Sequence, residues 1–72
     1  MYIKLNTKDV EILKRGKINY LPEKDYSEDE SDVLVDSIRE KQIYYAQIED
    51  TEAAEDFAEI ADKIEQLMDE EY

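Results

Sequence analysis

Val33-Leu34-Val35-Asp36-Ser37-Ile38-Arg39-Glu40-Lys41-Gln42-Ile43-Tyr44-Tyr45-Ala46-Gln47-Ile48 is the stretch on which the fold of this chain turns. Its two halves, 33–38 and 43–48, are rich in β-branched and aromatic residues, the composition of strands. Paired across 39–42, they place Val33, Val35, Tyr44, Ala46 and Ile48 on one face of a hairpin, because alternate residues of a strand share a side. Two observations pull the other way. Segment 39–42 has none of the Gly, Asn, Asp or Pro that tight hairpin turns use. Leu34, Ile38, Tyr45 and Ile48 also fall on one stripe of a helix, and Ser27-x-x-Glu30 upstream has the form of a capping box. Helix to about Lys41 followed by a strand is a third arrangement of the same class. We read the stretch as a hairpin.

On its N-terminal side, Tyr2-Ile3-Lys4-Leu5 reads as a short strand, followed by a helix over 8–15 capped by Asn6 or Thr7, with Val10, Ile12 and Leu13 at helical spacing. Gly16, the only glycine, stands where a left-handed C-terminal residue is wanted. Lys17-Ile18-Asn19-Tyr20-Leu21 alternates and stops at Pro22, predicting another strand, and the polar run 22–32 reads as an acidic loop. On the C-terminal side, Ala53, Phe57, Ile60, Ala61, Ile64, Leu67 and Met68 recur at the spacing of one buried helical face. They predict a long amphipathic helix over about 51–70, with Thr51 as N-cap and an end frayed by Asp69, Glu70 and Glu71. The expectation is a single α+β domain over 1–72. It is a small antiparallel sheet of three or four strands, with a short N-terminal helix and a long amphipathic C-terminal helix.

Composition narrows the chemistry. The 72 residues hold 21 Asp and Glu against 9 Lys and Arg, a net charge of −12, with no His and no Cys. The usual zinc ligands, thiol nucleophile and imidazole base are therefore missing, and we expect a protein that is not an enzyme and binds no cofactor or metal. Paired carboxylates serve catalysis in clefts that shift their pKa values, and so short a chain has little interior from which to build one. Asp25-x-Ser27-x-Asp29, with Asp36 at the twelfth place, echoes a calcium loop. However, Glu30 stands where the sharp turn needs Gly, and Asp36 replaces the bidentate Glu. Ser27 before Glu28-Asp29-Glu30 also has the form of an acidic-directed phosphorylation site, a short and common pattern.

No secretory h-region or membrane-spanning apolar run occurs, so a soluble, cytoplasmic protein is expected. Its charge repels nucleic acid and anionic lipid, which argues against either as a direct partner. The charge is also uneven. Residues 1–24 carry six bases and three acids, whereas 49–72 carry one base and eleven acids. Glu55, Glu59, Asp62 and Asp69 form a stripe on the polar side of the last helix, flanked by Glu52, Asp56 and Glu65. Lys63 is the sole base there, so the i,i+4 ion pairs that usually lace an exposed helix are missing. Glu55, Glu59 and Asp62 rise about 5–6 Å on average from one to the next, close to the roughly 7 Å between phosphates of one nucleic-acid strand.

Solubility explains acidity in general, but a net charge of magnitude about 2–8 suffices for a small domain. The surplus points to a protein-binding module. In the reading we favour, the array Glu52, Glu55, Asp56, Glu59, Asp62, Glu65 and Asp69, with Tyr45 as an aromatic anchor, mimics nucleic acid. It would block the basic groove of a nuclease, a restriction or CRISPR effector, or a polymerase. Phage-encoded inhibitors share the small size and acidity, an analogy of composition only. The alternative is a structural or assembly protein, in one form a homodimer, whose acidity serves solubility.

Overall fold

Asn6, Ser27 and Asp50 open the three helices of the chain, each accepting a hydrogen bond from a first-turn amide that has no partner within its helix. In a computed structural model describing all 72 residues, α1 spans Thr7–Arg15, α2 Glu28–Gln47 and α3 Thr51–Glu71. Asn6 accepts from the Asp9 amide at 2.8 Å and Asp50 from the Ala53 amide at 3.3 Å. Thr51, the expected cap of the last helix, is its first residue instead.

The protein is all-helical, and the α+β expectation is overturned at 33–48. The capping box is real: Ser27 Oγ accepts from the Glu30 amide at 3.1 Å, and Glu30 Oε1 accepts from the Ser27 amide at 3.2 Å. Ser31, fully buried, returns its hydroxyl to the Ser27 carbonyl at 2.8 Å. From that start the helix runs unbroken through 39–42, where Arg, Glu, Lys and Gln are all good helix formers. Strand preference at the valines and isoleucines amounts to a few tenths of a kcal/mol each, against about 1.5–3 kcal/mol for burying each large side chain at a helix seam. Seam burial wins. Of the five residues assigned to the hairpin face, only Val35 is buried.

The other expected strands also fail to form. The only β pairing is one antiparallel bridge between Tyr2 and Asp25. Around it, the Tyr26 amide donates to the Met1 carbonyl at 2.7 Å and the Met1 amine donates to the Tyr26 carbonyl at 2.6 Å. Tyr20 donates its hydroxyl to the Ile3 carbonyl, and the Leu21 amide donates to the Tyr26 hydroxyl at 3.0 Å. Segment 1–6 is thus stitched to 17–26 by scattered bonds, without a ladder. The acidic loop expected at 22–32 ends at Ser27.

Residues 48–50 return the chain so that α3 packs back along α2, the arrangement short connections impose on neighbouring helices. Glu49 takes a left-handed conformation (φ 63°), with its amide on the Ala46 carbonyl and the Asp50 amide on the Tyr45 carbonyl. Lys17 (φ 57°) closes α1 in the same way, through bonds from its amide to Lys14 and from Ile18 to Leu13. Gly16, expected to be left-handed, is not (φ −80°). It is glycine for space: a Cβ there would lie 2.8 Å from Phe57 Cζ and 2.9 Å from Cε1.

Leu34, Val35 and Ile38 of α2 meet Phe57, Ile60, Ala61 and Ile64 of α3, and Ile12 and Leu13 of α1 with Ile3 and Tyr26 complete the core. The α3 stripe is as the spacing predicts, with Phe57, Ile60, Ala61 and Ile64 buried and Ala53, Leu67 and Met68 half-buried. Its C-terminal end is held, since the Tyr72 hydroxyl donates to the Tyr26 carbonyl at 2.9 Å.

Gly16→Ala pushes on a Phe57 ring that is 2% exposed and stacked against Tyr45 (centroids 5.4 Å apart), so the ring cannot swing into solvent freely. Chemical denaturation should show a loss of about 1–3 kcal/mol. At the α2 cap, Lys24 pairs with Glu30 and holds its carboxyl below the ordinary value of 4.5, with the Ser27 amide assisting. A depressed carboxylate pKa stabilises the fold above the unfolded value, and that contribution disappears as pH falls through the folded one. Carbon-detected NMR titration should place the Glu30 midpoint below 4.5, and Lys24→Gln should move it upward.

Candidate functional site: an acidic face across two helices

Burial of one side of α3 leaves the opposite side to solvent, and that is where most of its carboxylates stand. Glu52, Glu55, Glu59, Asp62, Glu65 and Asp69 are exposed, and Asp56 is half-buried. They do not form one uniform array. Arg39, reaching across from α2, donates through Nη2 to Asp62 Oδ1 at 2.6 Å and to Glu65 Oε1 at 2.6 Å, while its Nε donates to Glu65 Oε1 at 3.1 Å. Asp62 and Glu65 are three residues apart, so one guanidinium spans both. The two carboxylates, Asp62 first, raise the guanidinium's already high pKa, and Gln42 accepts a further bond from its Nη1 at 2.9 Å.

Glu52, Glu55, Asp56, Glu59 and Asp69 have no intramolecular cation within salt-bridge distance. Lys63, the one base on α3, turns to α1 and donates to Asp9 Oδ2 at 2.5 Å. That pair lies near the edge of the core, with the Asp9 side chain 11% exposed, and leaves the outer stripe without local compensation.

Sequence reasoning missed part of the face. Asp32 and Asp36 of α2 join Glu65 and Asp69 of α3 around an open groove of about 340 Å³ whose apolar floor is Val35 and Met68. Asp32 and Asp36 are four residues apart and so are neighbours one turn apart on α2, whereas the hairpin reading left Asp32 in the acidic loop and Asp36 in a separate strand. The Arg39 contacts, across 23 and 26 residues, left no local signal. No three carboxylates converge so as to hold a metal ion. The calcium-loop echo is dismantled outright, because Ser27 caps α2 and Asp29 and Asp36 belong to the helix.

Tyr45 is not a free anchor. Its ring stacks on Phe57 at an interplanar angle of 6°, and Tyr44 meets it edge-on at 5.1 Å. In a helix, successive residues point about 100° apart, and it is Tyr44 that faces solvent, 52% exposed.

The chain matches no family model, no curated protein and no solved structure. No helix is long and apolar enough to cross a membrane.

Replacing Arg39 with Met keeps the stem packed but removes the charge shared by Asp62 and Glu65. Thermal unfolding in dilute buffer should show a loss of about 0.5–1.5 kcal/mol, and the difference should shrink but not vanish at about 0.5 M salt, where screening sets in beyond about 4 Å and the direct contacts persist.

Proposed function

We propose that this protein acts by binding rather than by catalysis, and that the outer face of α3 occupies a basic groove of another protein in place of nucleic acid. The observation that carries the reading is the row Glu52, Glu55, Glu59 and Asp69, exposed carboxylates on one rigid helix with no cation of their own chain to neutralise them. A helix preorganises such a row. Once formed, its Cα positions advance by about 1.5 Å per residue, so a partner surface meets charge at nearly fixed spacing and pays little ordering cost. Asp62 and Glu65 serve differently, since Arg39 holds them in place and lowers the local charge density at the edge facing α2.

Repulsion within the row disfavours the free protein by a few tenths of a kcal/mol for each i,i+4 pair, and a cationic groove removes that repulsion on binding. Proteins with such grooves process nucleic acid: nucleases, restriction and CRISPR effectors, and polymerases. Association through an unpaired row of this kind is fast and falls steeply with ionic strength.

The test is affinity capture from native lysate on the immobilised chain, with elution by a double-stranded DNA oligonucleotide. A nucleic-acid-processing protein should be retained at low salt and released by the DNA. The Glu52→Lys/Glu55→Lys/Glu59→Lys variant, which relieves repulsion and should stay folded, should retain none of it. Proteins held equally by wild type and variant, or insensitive to DNA and salt, sink the reading. A self-associated form that persists in high salt favours the assembly alternative.

A further inference from the structure

Segment 33–48 leaves a second surface. Val33, Tyr44 and Ile48 are 65%, 52% and 54% exposed, unusual for large apolar side chains on so charged a chain. Val33 and Tyr44 stand at i and i+11 and so share one side of α2, turned about 100° from the Leu34/Ile38/Tyr45 seam, with Ser37, Glu40 and Lys41 between them and Ile48, the C-cap, continuing the side at i+15. Ser37 spends its hydroxyl on the Val33 carbonyl at 3.0 Å, so it presents no free donor along this apolar-edged track. At its N-terminal end, the track opens into a groove of about 390 Å³ between α2 and segment 18–26, lined by Ile18, Leu21, Tyr26, Val33 and Leu34. Leu21, 54% exposed, forms the far wall.

The charges beside the track say what can cover it. Asp29, Asp36 and Glu40 border it on one side, all exposed and none paired, and the half-buried Lys41 is the one unpaired base of α2 on the other, so the border is acidic on balance. Lys24, at the groove, is already occupied by Glu30 and lies over the Tyr26 ring. A second copy seated symmetrically would bring this predominantly acidic border against itself on two bodies of −12 each, a like-charge juxtaposition that opposes docking. An anionic bilayer is repelled for the same reason. We propose that this face of α2 docks a cationic amphipathic helix of another protein. Its aliphatic residues lie along Val33, Tyr44 and Ile48, one large side chain fills the groove beside Leu21, and its Lys or Arg residues pair with Asp29, Asp36 and Glu40. The site is separate from the outer face of α3 and stands whether or not that face mimics nucleic acid.

The test uses the full chain and two synthetic helical peptides of equal charge, one of Lys and Leu with the leucines on one face, the other with every Leu replaced by Ala. Titration followed by amide NMR should move Leu21, Val33, Ser37, Tyr44 and Ile48, and calorimetry should find the Leu peptide bound at least about tenfold more tightly. Val33→Gln/Tyr44→Gln, at two exposed positions, should weaken the Leu peptide by about tenfold, whereas Glu52→Gln/Glu55→Gln/Glu59→Gln should change its affinity by less than about threefold. Equal affinity for the two peptides overturns the proposal, as do shifts centred on the outer face of α3. So does a peptide-free dimer that Val33→Gln/Tyr44→Gln abolishes, since the face would then belong to a second copy. The comparison of peptides on the unmodified chain decides the matter even if the double variant does not fold.

Discussion

The seam between α2 and α3 is the constraint on which everything else in this protein rests. Leu34, Val35 and Ile38 on one helix and Phe57, Ile60, Ala61 and Ile64 on the other are buried together in a chain that has no cysteine and so no disulfide to brace it. Each large side chain contributes about 1.5–3 kcal/mol, whereas each repelling pair of neighbouring carboxylates costs a few tenths. That ratio is why a chain of net charge −12 can fold and still leave most of its acids without a partner. Gly16 and Phe57 extend the seam towards α1, where the absence of a Cβ lets the aromatic ring lie against the helix end.

The same geometry sorts the charges. Burying one side of α3 presents Glu52, Glu55 and Glu59 to solvent, while Asp62 and Glu65 come within reach of Arg39 because α2 runs alongside. The result is an acidic surface in two parts, one bare and one tethered. Asp32 and Asp36 widen it across the helix boundary. On the other side of α2, the residues that look most strand-like, Val33, Tyr44 and Ile48, remain uncovered. One helix therefore carries a buried stripe, an acidic edge and an apolar track, which is why its local pattern admits several readings.

Legibility followed periodicity. The last helix was readable because seven apolar residues hold one phase across four turns, and α1 because Asn6, the Ile12/Leu13 pair and the basic last turn agree with one another. In 33–48 the apolar residues occupy both a period-2 and a period-3.6 pattern, and composition tips toward strand. The deciding signals were present upstream in Ser27-x-x-Glu30 and in the unbroken helix formers at 39–42. The strands expected at 2–5 and 17–21 had no partner once the hairpin was gone, and only the Tyr2–Asp25 bridge remains. Within the acidic site, which residues lie on the exposed side of α3 could be read from phase alone, but Tyr45 could not be assigned correctly from a strand in which it alternates with Tyr44.

By itself, the sequence determined the charge, the absence of imidazole and thiol chemistry, the long C-terminal amphipathic helix and the outward direction of its carboxylates, because these depend on residue identity and on the fixed pitch of one helix. Only the tertiary structure decided that 33–47 is helical, that Arg39 bridges Asp62 and Glu65, that Lys63 turns to Asp9, and that Tyr45 stacks on Phe57 while Tyr44 stays exposed at its edge. The physical reason is range. Helical phase and charge are properties of neighbours along the chain, whereas a stripe is committed to helix or strand by the surface it is buried against, and here that surface lies some two dozen residues away on α3.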